Sequence, residues 1–285
     1  MTTEDAVTVE AVESLRDTAD PRLRELLGAL IRHLHAYARE TRLTRSEWEA
    51  AVAFLTETGR TCTDTRQEFV MLSDVLGLST LMETVHGHGG PGTTESTVLG
   101  PFHMTESPVR ELGADIDLVG TGEPCVISGA VRSTDGTPLP GAVLDVWQAD
   151  PHGHYDVQQP GHQPPGNGRG LFTADGEGRF RFRTCVPSAY PIPTDGPVGA
   201  LLKATGRHPY RPAHIHFIVS AEGHAPVTTH IFVAGGEHLD SDAVFAVRES
   251  LVKDFAATDD PALAEELGMP NPFRHARFDV VLERA

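Results

Sequence analysis

The strongest constraint on this chain is an abrupt change of punctuation near residue 87. Residues 5 to 87 hold almost no proline, and apolar positions recur there with helical period, which reads as a cluster of helices. From Gly87 the run GHGGPGTTESTVLGPFH is dense in breakers and cannot continue a helix. Beyond it, short alternating runs separated by Gly, Pro and Asp follow one another at the spacing of an all-β sandwich. The expected fold is α+β, an N-terminal α-helical segment followed by a mostly antiparallel β-sandwich, with the division at residues 1–103 and 104–285.

Within the first part, Leu23, Leu26, Leu27, Leu30 and Leu34 place one apolar stripe on a helix opened by Asp20 and Pro21. A second helix should start near Thr44, whose T-x-x-E box with Glu47 precedes an inner face of Trp48, Val52 and Leu55. A third is predicted from about Asp64 through Phe69, Leu72, Val75 and Leu76 to Met82. In the β part the clearest strand is GRFRFRT, where Phe180 and Phe182 face one way and Arg179, Arg181 and Arg183 the other. PCVISGAV, AVLDVWQ, AHIHFIV, VTTHIFV and RFDVVLE read likewise as strands. One late helix is expected over Ser241 to Ala257, where Val244, Val247, Leu251 and Phe255 keep helical spacing.

Composition then narrows the function. A chain of 285 residues buries a core without staples, and three cysteines with no C-x-x-C pair encode neither a disulfide framework nor a cysteine zinc site. A reducing cytoplasm is the expected setting. The formal charge of 17 negative repels nucleic acids and anionic membrane surfaces. The acidic amino terminus lacks the pattern of a signal peptide, and no apolar run approaches membrane-spanning length.

Most of the 15 histidines are scattered, but RPAHIHFIV sets His214 and His216 two apart on an apolar strand. Side chains alternate along a strand, so both imidazoles share a face with α-carbons about 6.6 Å apart, and two such rings can converge on one metal ion. A pair of histidines on a solvated face is the competing reading. Of the four tyrosines, Tyr155 and Tyr190 lie in loops that follow strands, and a hard ferric ion can hold a phenolate by displacing its proton. Tyr37 and Tyr210 read as packing residues.

Together Tyr155, Tyr190, His214 and His216, with RPAHIH at 211–216, STVLGPFH at the joint and GRHPYRPAHIHF, resemble the intradiol ring-cleavage dioxygenases over nearly the whole chain. Through YPIPTDGPVG at 190–199 and HLDSDAVF at 238–245 the resemblance is to the hydroxyquinol 1,2-dioxygenases, with catechol and chlorocatechol 1,2-dioxygenases as the nearest alternative. It implies an enzyme that opens a small aromatic diol or triol with O2 on a non-haem Fe(3+) held by Tyr155, Tyr190, His214, His216 and a hydroxide. By the same resemblance Tyr190 leaves the metal and takes a substrate proton, and Arg211 sets a positive charge beside the ring.

Two further positions bear on the substrate. Met71 and Asp74, at i and i+3, share a helix face that resembles the wall of the family's pocket, and a carboxylate there suits a third ring hydroxyl. Val98, Leu99, Gly100, Pro101 and Phe102, with Ile192 and Pro193, complete the pocket by resemblance. His230 stands where catechol relatives carry glutamine and is placed in the shell behind the metal ligands. The resemblance also implies a homodimer through the N-terminal helices with a phospholipid between them. Two readings from other classes stay open: a β-sandwich module that only binds a partner, suggested by GAVRSTDGTPLPGAVLDVWQ, and a ferrous or zinc site that would recruit a carboxylate instead of tyrosine.

Overall fold

A computed structural model describes residues 3–86, 90–104 and 106–285. Gly87 to Gly89, where the breaker-rich joint opens, lie outside them. The chain forms two compact units, Met1–Glu57 and Thr58–Ala285.

The first unit holds helices α1 (Thr3–Glu13), α2 (Pro21–Thr41) and most of α3 (Arg45–Thr61). Their starts follow from local chemistry. The Asp20 carboxylate accepts the amides of Arg22 and Leu23 at 2.8 and 3.3 Å, and Pro21 fills the first helical position. Thr44 and Glu47 form the capping box, with the Thr44 amide on Glu47 Oε2 at 2.8 Å and the Glu47 amide on Thr44 Oγ1 at 3.3 Å. These bonds from Thr44 hold the Glu47 carboxyl below its ordinary pKa. The apolar stripes, however, do not close on a core. Leu23, Leu26, Leu30 and Leu34 on α2 are about half exposed, and so are Trp48, Val52, Leu55 and Tyr37. The face expected to point inward is open in the single chain, because a unit this small cannot bury two full stripes.

In the second unit the expected third helix is two, α4 (Glu68–Val75) and α5 (Leu78–His86), separated at Gly77. Gly77 adopts φ 74, a left-handed conformation that ends a helix. Two short helices follow later, α6 (Pro197–Ala204) and α7 (Pro261–Leu267). The strands are β1 (Pro124–Ser133), β2 (Val143–Trp147), β3 (Arg169–Thr173), β4 (Arg179–Cys185), β5 (Tyr190–Pro191), β6 (Tyr210–Arg211), β7 (His214–Ser220), β8 (Val227–Val233), β9 (Val252–Lys253), β10 (Ala256–Thr258), β11 (Phe273–Arg277) and β12 (Val280–Leu282).

One sheet runs β10-β11-β1-β12 with β4 also on β1, the second runs β3-β2-β7-β8-β9, and β5 and β6 form a small ribbon. The sheets are mixed and not purely antiparallel, since β1 pairs in parallel with β11 and β12, and β8 with β9. Phe180 and Phe182 turn inward from β4 while Arg179 and Arg181 face out, as the alternation predicts. Phe182 stacks on Phe172 at 5.1 Å and meets Phe217 of β7 at 6.2 Å, so the aromatic core ties the two sheets together.

The helix expected over Ser241–Ala257 does not form. That stretch holds turns, a 3-10 turn at Glu249–Leu251, and strands β9 and β10. The Asp242 carboxylate accepts the amides of Val244 and Ala246 at 3.2 and 3.1 Å, a local side-chain bond that competes with helical pairing. Among the described residues no helix is long and apolar enough to cross a membrane.

Candidate metal centre

Strand β7 lies between β2 and β8, and its register decides the site. His216 sits directly opposite Trp147 on one side and His230 on the other. Ile215, Phe217 and Val219 point into the core, which leaves His214 and His216 on the opposite face, as the two-residue period requires. Both are nonetheless buried, because the tyrosine loops cover that face. Tyr190 reaches it from β5, where it pairs across the ribbon with Arg211 of β6. Tyr155 reaches it from the loop after β2. Gly153 makes that loop possible: at φ 83, a Cβ there would stand 2.4 Å from Tyr190 Cβ.

Four donor atoms close a ring. Tyr155 Oη lies 3.0 Å from Tyr190 Oη and 3.0 Å from His216 Nε2, His216 Nε2 lies 3.1 Å from His214 Nε2, and His214 Nε2 lies 3.5 Å from Tyr190 Oη. Ligands held about 2.1 Å from one ion are separated by roughly 3.0 Å in an octahedron and 3.4 Å in a tetrahedron, so these spacings fit a coordination shell as well as hydrogen bonds. His214 Nδ1 donates to the Pro212 carbonyl at 2.7 Å, so Nε2 of the neutral ring is an acceptor, and Arg211 Nη1 donates to it at 3.0 Å.

Burial governs the electrostatics. Loss of water holds His214, His216 and His230 well below the ordinary histidine value, with Arg211 adding to the effect on His214 and His230 adding to it on His216. Burial also pushes the phenols of Tyr155 and Tyr190 up, well above the usual range for Tyr155. The imidazoles are therefore neutral, and the phenols give up their protons only to a cation. Burial opposes the charge of Arg211 as well, but Asp242, Tyr190 and Tyr155 outweigh it and raise the guanidinium. This donor set, two phenols and two neutral imidazoles with no carboxylate in the ring, suits a hard, highly charged metal ion.

The remaining expected residues divide. Phe102 stacks on Tyr155 at 4.7 Å, and a Cβ on Gly100 would stand 3.1 Å from His216 Cε1, so the joint does press on the ligands. Met71, Asp74, Val98 and Ile192 are buried, Pro101 and Pro193 are half-buried, and Leu99 is exposed. Asp74 is 3% exposed, its Oδ1 has no partner among the described residues, and burial raises its carboxyl pKa. His230 is the third histidine of the cluster. Its Nε2 lies 2.6 Å from His216 Nδ1, the other nitrogen of that ring, and its Nδ1 meets Thr97 Oγ1. It therefore supports a ligand and stands outside the four-atom ring.

Sequence reasoning missed three partners. Asp242 holds Arg211, with its Oδ1 3.3 Å from Arg211 Nε. Trp147 stacks on His216 at 4.5 Å with 11° between the planes. Thr97 closes the chain behind His230. Thr97 lies in the STVLGPFH run and Asp242 in HLDSDAVF, but no local spacing ties either to its partner.

The three neutral histidines make a pH prediction. Their folded pKa values are depressed, so their contribution to stability is present above about pH 6.5 and is lost as pH falls through the lower folded values. Chemical unfolding of metal-free protein should show stability decreasing from pH 7 to pH 5. A flat profile would mean the imidazoles are not held neutral.

Two family models match the sequence, catechol dioxygenase N terminus over residues 20–89 and dioxygenase over residues 100–284. A hydroxyquinol 1,2-dioxygenase of Rhizobium sp. (strain MTP-10005) is 48% identical over 274 residues, 96% of this chain and 93% of that protein. A 6-chlorohydroxyquinol 1,2-dioxygenase of Cupriavidus pinatubonensis is 50% identical over 254 residues, covering 89% and 92%. The crystal structure of hydroxyquinol 1,2-dioxygenase from Pseudomonas putida DLL-E4 superposes with a TM-score of 0.89 at 42% identity, covering 99% of both chains. With both parts of the sequence matched and relatives of 48% and 50% identity spanning most of the chain, the chain belongs to the intradiol ring-cleavage dioxygenase family.

Proposed function

We propose that the protein is a hydroxyquinol 1,2-dioxygenase, cleaving 1,2,4-trihydroxybenzene with O2 between the two carbons whose hydroxyls bind the metal, to give 3-hydroxy-cis,cis-muconate, the enol form of maleylacetate. The observation that carries it is the four-donor ring of Tyr155, Tyr190, His214 and His216. We assign that ring to a ferric ion, which would supply the Lewis acidity and redox chemistry that make a bound aromatic diol reactive toward dioxygen.

The chain's own residues supply the rest. Pro212 O fixes the His214 ring and His230 the His216 ring, each with Nε2 turned toward the four-atom ring. Tyr190 Oη is the proton acceptor for one substrate hydroxyl, because burial raises its phenol and favours the protonated form once the oxygen is free. Arg211 Nη2, buried and without a partner among the described residues, offers a fixed positive charge to the ring as negative charge develops. Asp74, on the same helix face as Met71, reads the third hydroxyl. Val98, Leu99, Gly100, Pro101, Phe102, Ile192 and Pro193 form the apolar walls. Residues 104–285 are the catalytic part and 1–103 the helical part, whose exposed α2 and α3 stripes take a second copy of the chain, with a phospholipid tail filling the seam.

Purified protein should be red from tyrosinate bound to ferric iron, and His214→Ala should be colourless with little iron by metal analysis. Iron content near wild type in that variant would reject the ligand assignment. Specificity is read by steady-state kinetics on two substrates. A charge-assisted hydrogen bond is worth roughly 1.5 to 3 kcal/mol, so Asp74→Ala should lower kcat/KM on hydroxyquinol about tenfold to a hundredfold and leave catechol nearly unchanged. An equal fall on both would show that Asp74 only supports its helix. Sedimentation velocity should give a dimer that Leu26→Glu with Leu30→Glu converts to a monomer; a wild-type monomer would end the interface assignment.

A further inference from the structure

Next to Tyr155 in the chain lies a buried ion pair that the proposed chemistry does not use. Arg169, at the start of β3, is 2% exposed and donates through Nε to Asp156 Oδ1 at 2.7 Å. Asp156 follows Tyr155 directly in the chain, and its Oδ2 accepts the Gly166 amide at 2.9 Å. The Tyr155 loop is thus bound to β3 at the residue next to the phenol. Arg169 also sits directly opposite Trp147 across the β2–β3 ladder, and Trp147 is the ring stacked on His216.

The pair is incomplete. Asp156 engages only Nε, and Arg169 Nη1 and Nη2 have no partner among the described residues. The Asp156 carboxylate cancels the guanidinium's charge at long range, but at low local dielectric each partner of the pair acts separately on donors close to it. Burial dominates the raised phenol of Tyr155, and Arg169 is one of two guanidiniums that oppose it.

Resting on the ferric reading above, we propose that Arg169 is a positioning residue for Tyr155: through Asp156 it holds the phenol oxygen beside His216, and its positive charge lowers the energy of the phenolate's electrons. The charge is what separates this role from simple packing. An electron promoted from tyrosinate to iron starts from that lowered level, so removing the positive charge should bring the visible band to longer wavelength. Removing the negative charge of Asp156 should move it the other way.

The test is the visible spectrum of iron-loaded protein, with circular dichroism to confirm folding. Arg169→Gln should shift the tyrosinate band to longer wavelength, Asp156→Asn should shift it to shorter wavelength, and Arg169→Lys, which keeps the charge, should restore the wild-type position. Iron affinity should fall in all three, by about tenfold to a hundredfold where the tether is lost. If Arg169→Gln does not fold, the Asn and Lys variants still carry the test. Bands that do not move, or that move in the same direction in the Gln and Asn variants, overturn the proposal. A wild-type protein with no visible band instead overturns the ferric reading on which it rests.

Discussion

Dehydration of one small volume organises this molecule. Two phenols and two imidazoles converge within hydrogen-bond distance of one another, and all four side chains are almost wholly buried. In such a place each group prefers its neutral form, and the four hold one another through their own hydrogen bonds with Arg211 Nη1 added on His214. In the ferric reading proposed above, a multiply charged cation would replace the phenolic protons and take the imidazole lone pairs at once. The fold supplies what the cation cannot: a strand register that fixes His216 between Trp147 and His230, a ribbon that sets Tyr190 opposite Arg211, and a glycine-bearing loop that brings Tyr155 across.

Charge is distributed accordingly. The chain as a whole is 17 negative, yet the side chains around the centre include two buried guanidiniums, Arg211 and Arg169, each held by a single aspartate. Burying an ion pair gains little stability, and breaking one by removing a partner is costly. Arg211 has Asp242 on its Nε, His214 on its Nη1 and an Nη2 with no partner among the described residues, an arrangement that keeps the guanidinium in position beside the four-atom ring. Lysine would not serve, because one ammonium cannot hold Asp242 through one nitrogen and present another in a planar fork.

What the sequence disclosed follows from the range of the interactions concerned. The Asp20–Pro21 start, the Thr44–Glu47 box and the alternation of β4 are set by neighbours within four residues, and they stand where the residues place them. The His214–His216 pair was legible for the same reason. The tyrosines were found by their rarity and by resemblance. Thr97 and His230 are 133 residues apart, and Arg211 and Asp242 are 31 apart, so no local spacing could join them. The Ser241–Ala257 stretch shows the opposite failure, a helical rhythm overruled by one long-range bond and a pair of local side-chain bonds. Arg207 binds the Ala243 carbonyl and Asp242 takes two amides, and those groups are no longer available to a helix.

Asp74 illustrates how a local cost becomes a means of discrimination. Its carboxyl is buried, its Oδ1 lacks a partner, and its pKa is raised, so its ionised form destabilises the folded protein as pH rises through that raised value. A nonpolar side chain would pack in the same place at less cost. In the hydroxyquinol reading proposed above, selection of a triol over a diol needs a group whose penalty is relieved by one substrate only, and a hydroxyl donated to Oδ1 would do that. A ring without the third hydroxyl would leave the penalty standing in the complex as in the free protein. On that reading the difference between the two complexes is the source of specificity, and it exists because the free protein carries the cost.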